Sequence, residues 1–72
     1  MVLRSDNGDV LELPPPNQMG ESVVVLNGEI LDRVLYSDLD GGSVTTGDGK
    51  KFRAGDEFSQ YLVGILAARR VV

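Results

Sequence analysis

Asp38, Asp40 and Asp48 stand around the pair Gly41-Gly42. Alternating carboxylates that run into a glycine suggest a calcium loop, because a hard cation takes a shell of oxygens and the glycine lets the chain turn around it. An EF-hand loop needs acids at its first, third and fifth positions, glycine at the sixth and glutamate at the twelfth. With Asp40 fifth, Asp38 is third and Gly41 sixth, but Tyr36 is first and Gly47 twelfth. Two ligands are missing. Asp38, Asp40 and Asp48 are candidates for a surface cation at most, and an acidic turn is the simpler reading.

Gly47-Asp48-Gly49-Lys50-Lys51 invites a phosphate-loop reading, which fails on spacing. The glycine needed five residues before Gly49-Lys50 is Val44, and the hydroxyl residue needed after the lysine is Lys51. Phe52 also stands where a dinucleotide loop would need its third glycine. Nucleophilic catalysis finds no base: Ser5, Ser22, Ser37, Ser43 and Ser59 have no histidine to activate them. The absence of histidine and cysteine also excludes Cys/His zinc sites and disulfides. A chain of 72 residues leaves little room for a deep pocket. The expectation is a protein that is not an enzyme and carries no cofactor.

Charge narrows the partners. Eleven acidic residues against seven basic ones give a net charge of −4, which argues against a general nucleic-acid binder. Residues 6–48 hold nine acids and one base, Arg33, whereas residues 49–72 hold Lys50, Lys51, Arg53, Arg69 and Arg70 against Asp56 and Glu57. Ordinary charge scatter on a solvated surface is the simpler reading of this split; the sharper one is head-to-tail association of copies, acidic face to basic face. Those five basic residues are the candidate interaction residues, and the expected partner is a protein or a second copy. Lys50, Lys51 and Arg53 around Phe52 could touch nucleic acid as a hairpin with a stacking aromatic. In the register argued below, however, Lys51 and Arg53 share one face and Lys50 and Phe52 the other, which splits the patch.

The elements that would position these residues are legible in the turns. Asp6-Asn7-Gly8, Asn27-Gly28 and Gly47-Asp48-Gly49 lie between apolar or β-branched segments. Such glycine turns are strong hairpin signals, since glycine takes positive φ at little cost. A two-residue loop at Asn7-Gly8 would oppose Asp6 to Asp9. A three-residue loop instead sets Leu3 opposite Leu11 and Met1 opposite Leu13, making one apolar face. The same loop at residues 47–49 pairs Val44 with Phe52 and Thr45 with Lys51. Pro14-Pro15-Pro16 reads as an extended linker. Ser22 to Leu26 reads as a strand. Glu29 to Tyr36 fits a strand or a helix face, and the strand is preferred because Asn27-Gly28 closes the one before it. Phe58, Tyr61, Leu62, Ile65 and Leu66 have helical spacing with Asp56 as a possible N-cap, while Val63, Ile65 and the final valines suit a strand.

Leu26-Asn27-Gly28-Glu29-Ile30, then Val34-Leu35-Tyr36-Ser37-Asp38-Leu39-Asp40-Gly41-Gly42-Ser43-Val44, and finally Gly55-Asp56-Glu57-Phe58 with Val63-Gly64-Ile65 carry a resemblance. They resemble short bacteriophage-encoded proteins of the virion-assembly, head–tail type. The sequence departs from that pattern at Ser43, where an aromatic residue often follows the turn. The resemblance implies a mostly β fold, a closing strand at the C-terminus, and an assembly role in the cytoplasm of a bacterial host or in the virion. It brings no catalytic residue.

The expected fold is mainly β: one small domain over residues 1–72, with about five or six strands in a small curled antiparallel sheet or partly open barrel. The alternative is α+β, with one C-terminal helix packed on the sheet. The expected core is Leu3, Leu11, Leu13, Val23, Val25, Val44, Phe52, Phe58, Leu62 and Ile65. The function expected is a structural, assembly or protein-interaction module, with a small acidic cation-binding domain as the alternative. Edge strands would be a route to pairing with another chain. The N-terminal residues have no basic leader before an apolar stretch, so no signal peptide is expected. Tyr61 to Ala68 is the longest uncharged apolar run, short of the ~20 residues of a membrane span.

Overall fold

The computed structural model describes residues 1–69. Six strands form one antiparallel sheet in chain order, curled into a half-barrel: β1 Val2–Arg4, β2 Val10–Glu12, β3 Glu21–Leu26, β4 Glu29–Ser37, β5 Ser43–Thr45 and β6 Lys51–Arg53. A single helix, α1, spans Asp56–Ala68 and covers the inner face.

Two of the hairpins use the same loop. Ser5 N–H donates to Asp9 O at 2.9 Å and Gly8 N–H to Ser5 O at 3.1 Å, with Gly8 at φ 91°. Thr46 N–H donates to Lys50 O at 2.8 Å and Gly49 N–H to Thr46 O at 3.0 Å, with Gly49 at φ 88°. In each, the leading hydroxyl also bonds the Asx side chain two residues on, Ser5 to Asn7 and Thr46 to Asp48. The expected registers follow: Leu3 opposes Leu11, Val44 opposes Phe52 and Thr45 opposes Lys51. Asn27 at φ 52° and Gly28 at φ 85° make the two-residue turn between β3 and β4.

The inner face differs from expectation along β3. Val24 and Leu26 are buried there, whereas Val23 and Val25 face outward. Three consecutive valines cannot choose a face for themselves. The choice is made by pairing, because Leu26 lies opposite Leu11, whose side chain points inward. Leu31 is an extra residue on β4 between the pairs Val24–Asp32 and Val25–Ile30, a β-bulge. Val34, Val44, Leu11 and Leu13 complete the buried set on the sheet, with Leu3 and Phe52 packed at its margin.

The closing strand implied by the resemblance is absent, and residues 56–68 are helical. Phe58, Leu62 and Leu66 recur every four residues and are buried, with Tyr61 and Ile65 beside them. As a strand, Tyr61 and Ile65 would face away from Phe58, Leu62 and Leu66; as a helix, all five seal the half-barrel. The N-cap is Gly55, at φ 99°, and not Asp56, which lies in the first turn with Glu57, where the helix dipole favours negative charge. Ser59 N–H closes the first helical turn on Gly55 O at 2.9 Å.

The proline segment ends in a turn organised by Asn17. Its Oδ1 accepts from Met19 and Glu21 N–H, both at 2.9 Å, and its Nδ2 donates to Glu21 Oε1 at 3.1 Å. Gly20, at φ 82°, then lies against β4: its O accepts from Tyr36 N–H at 2.7 Å, and a Cβ there would stand 2.6 Å from Tyr36 O.

Candidate functional site

The structure divides the residues singled out by chemistry among separate places. Asp38 precedes a short 3-10 turn, Leu39–Gly41, at one end of β5, while Asp48 sits at the hairpin tip beyond the other end. The side chain of Asp40 lies outside the described residues. Among the described residues no group of three potential metal ligands gathers. Asp48 is already engaged: the Thr46 hydroxyl bonds Oδ1 and holds its pKa below the usual carboxylate range, and Lys50 Nζ lies 3.9 Å from Oδ2.

The basic residues are likewise apart. Lys50, Lys51 and Arg53 are exposed on the β5–β6 hairpin, and the register puts Lys51 and Arg53 on the outer face of the sheet. Phe52 turns inward, stacked on Tyr61 at 4.5 Å between ring centroids and 6.0 Å from Phe58. It is therefore core for the helix and not a platform for a base. Arg69 folds back at the end of α1, its Nε 3.4 Å from Asp9 Oδ2. Arg70 lies outside the described residues.

That Arg69 contact belongs to a latch which the sequence did not suggest. Asn27 Nδ2 donates to Asp9 Oδ1 at 2.8 Å, and Asn27 Oδ1 accepts from Val10 N–H at 2.9 Å. The tips of two hairpins and the end of the helix thus meet at Asp9. The Asn27 hydrogen bond, aided by Arg69, holds the Asp9 pKa below its usual value. A second polar corner lies under the other hairpin. Asp32, half-buried at the bulge, accepts from Gly47 N–H at 3.2 and 3.3 Å and from Arg33 N–H at 2.8 Å. Burial raises the pKa of the Tyr61 hydroxyl, and the negative charges of Asp32 and Asp48 add to the rise. Both arrangements join elements; neither sets a nucleophile beside a base.

What remains is the outer face of the sheet. Cross-strand pairs there set Val2 beside Glu12, Glu12 beside Val25, Val25 beside Ile30, Val23 beside Arg33 and Glu21 beside Leu35. The helix covers only the opposite face, so Val2, Ile30 and Leu35 stay 53%, 61% and 50% exposed. A cleft of about 630 Å³ opens here, lined by Pro14, Pro15, Val23, Arg33, Leu35 and Thr45 among others. It is larger than the expectation of little pocket room allowed, and its lining mixes aliphatic residues with the polar Asn17, Glu21, Ser22, Arg33, Thr45 and Thr46. The sheet edges are β1 and β6, three residues each, carrying Arg4 on one and Lys51 and Arg53 on the other. Short, charged edges discourage strand addition, so the face is the better contact surface.

No protein family, curated protein or solved structure matches the chain. Among the described residues no helix is long and apolar enough to cross a membrane.

Proposed function

We propose that the chain is a non-enzymatic protein-interaction module of the structural or assembly kind, and that it meets its partner through the outer face of the sheet. One observation carries the reading: Val23, Val25, Ile30 and Leu35 share the outer face across β3 and β4, with Val2 beyond the Glu12 carboxylate, and among the described residues no helix covers that face. In a small domain apolar groups of this kind are normally placed on the inner side, and a contiguous set on the outside marks a contact site. The assembly role, in a bacterial cytoplasm or a virion, rests on the sequence resemblance to phage head–tail proteins.

The test is a photo-crosslinking residue placed at position 35 and, separately, at Gln60, an exposed position on α1. The reading predicts a defined adduct from position 35 in the producing cells and none from position 60. No adduct from position 35, or the same adducts from both positions, would contradict it.

A further inference from the structure

We infer that Asn27 is a site of spontaneous deamidation which the Asp9 latch holds in check, and that conversion of Asn27 to a carboxylate releases the latch irreversibly.

Asparagine is among the thermolabile residues, and the residue after it sets how readily it reacts. Two of the three asparagines of the chain, Asn7 and Asn27, precede glycine. Glycine has no side chain, so its peptide nitrogen reaches the Cγ of the asparagine before it. At Asn27 the Gly28 nitrogen gives up its proton and forms a bond to Cγ, and the Cγ–Nδ2 bond breaks with loss of ammonia. Water then opens the five-membered imide. Cleavage at Cγ leaves aspartate; cleavage at the main-chain carbonyl of residue 27 leaves isoaspartate, with the chain routed through the side chain. One water is consumed and one ammonia released, so the reaction needs no oxidant, reductant or enzyme.

The fold treats the two sites differently, although both lie in exposed turns. At Asn7 the bonds that must give way are local to the loop: the Ser5 hydroxyl to Oδ1, and Gly8 N–H to Ser5 O at 3.1 Å. The hydroxyl draws electrons from Cγ, and among the described residues nothing holds Nδ2. Asn27 is tied instead to another hairpin. Its Oδ1 accepts from Val10 N–H at 2.9 Å, its Nδ2 donates to Asp9 Oδ1 at 2.8 Å, and its own N–H donates to Val10 O at 2.8 Å. Turning Cγ towards the Gly28 nitrogen gives up both side-chain bonds. Arg69 Nε, 3.4 Å from Asp9 Oδ2, helps to keep the acceptor in place.

Conversion also has unequal consequences. At position 7 a carboxylate still accepts from the Ser5 hydroxyl. At position 27 the nitrogen that leaves is the donor to Asp9, and a carboxylate in its place sets two negative charges where a 2.8 Å hydrogen bond stood. Aspartate tolerates the left-handed backbone at φ 52° as asparagine does, so with aspartate the loss falls on the latch and not on the turn. Isoaspartate lengthens the main chain inside a two-residue turn and disturbs the turn as well.

Peptide mapping by mass spectrometry tests this, following both sites at neutral pH in the folded full chain, in urea and in Asp9→Ala. Urea supplies the unfolded reference: Asn7-Gly8-Asp9 and Asn27-Gly28-Glu29 are alike in sequence and should convert there within a few-fold of each other. In the folded chain Asn27 should convert about 100-fold more slowly than in urea, the cost of opening one neutral and one charge-assisted hydrogen bond, and Asn7 less than about tenfold more slowly. Asp9→Ala should speed Asn27 about tenfold and leave Asn7 within a few-fold. The thermal midpoint should fall in Asn27→Asp and stay with the original in Asn7→Asp. Equal protection of the two asparagines in the folded chain, or no acceleration of Asn27 in Asp9→Ala, would show that the latch does not govern the site. An Asn27→Asp chain as stable as the original would show that conversion does not release the latch. An Asn27 that stays intact even in urea would remove the site altogether. A misfolded Asp9→Ala would betray itself by losing protection at both asparagines, and the comparison within the original chain then decides.

Discussion

At the scale of single residues, the side chains that matter most hold elements to each other. Gly20 shows how tight this is. Its positive φ and the approach to Tyr36 O leave no room for a Cβ. Gly28 also has positive φ but faces open space. Gly20→Ala should therefore cost more than Gly28→Ala: about 1–2 kcal/mol for the left-handed backbone alone at Gly28, and roughly 3 kcal/mol or more at Gly20, where a clash is added. Urea denaturation of the two variants checks the order. Asp9 gives a prediction in pH. Its pKa is held down in the fold by Asn27 first and Arg69 second. A carboxylate whose folded pKa is depressed stabilises fully above the ordinary value of 3.8 and loses that contribution as pH falls through the lower folded value. Asp9→Asn should accordingly lower the thermal midpoint at neutral pH, and the gap to the original chain should close as pH falls through the lowered folded pKa of Asp9. A gap that persists unchanged in acid would show that the carboxylate charge is not what holds the latch.

At the scale of elements, α1 is the half-barrel's cover, and its sequence is not optimal for a helix. Gly64 lies exposed on α1, and a Cβ there would meet nothing within 4 Å. Gly64→Ala should raise stability by about 0.5–1 kcal/mol, measured by the same denaturation, because alanine loses less backbone freedom in a helix. The elements also show where the sequence could and could not be read. The hairpin loops were legible down to register because Asp6-Asn7-Gly8 and Gly47-Asp48-Gly49 each leave only one loop length that keeps an apolar face. Glu29 to Tyr36 was legible as a strand through the Asn27-Gly28 turn. The inward face of β3 was not, because Val23, Val24 and Val25 offer the same side chain to both faces and Leu11, more than ten residues away, makes the choice. The helix at residues 56–68 stayed open in the residues themselves, since Val63 and Ile65 are β-branched. It was settled by the need of the sheet for a cover. The Asp9 latch had no local signal, as its two side-chain partners, Asn27 and Arg69, are distant in sequence. The proposed contact face was hidden for the same reason: Val23, Val25, Ile30 and Leu35 come together on one face only through the register of β3 and β4.

At the scale of the whole molecule, the chain exposes more surface than its mass requires. Its accessible surface is 5033 Å², against roughly 4,400 Å² for a compact monomer of 7.8 kDa. One helix covers one face of the six-stranded sheet, and among the described residues no second helix covers the other. On the proposed reading, a protein partner covers the outer apolar residues as the helix covers the inner ones. The most direct measurement is the adduct formed in the producing cells by a photo-crosslinking residue at position 35, compared with position 23 on the same face and with Gln60 on the helix. The account predicts a shared adduct from positions 23 and 35 and none from Gln60. No adduct from positions 23 and 35, or the same adduct from Gln60, would contradict it.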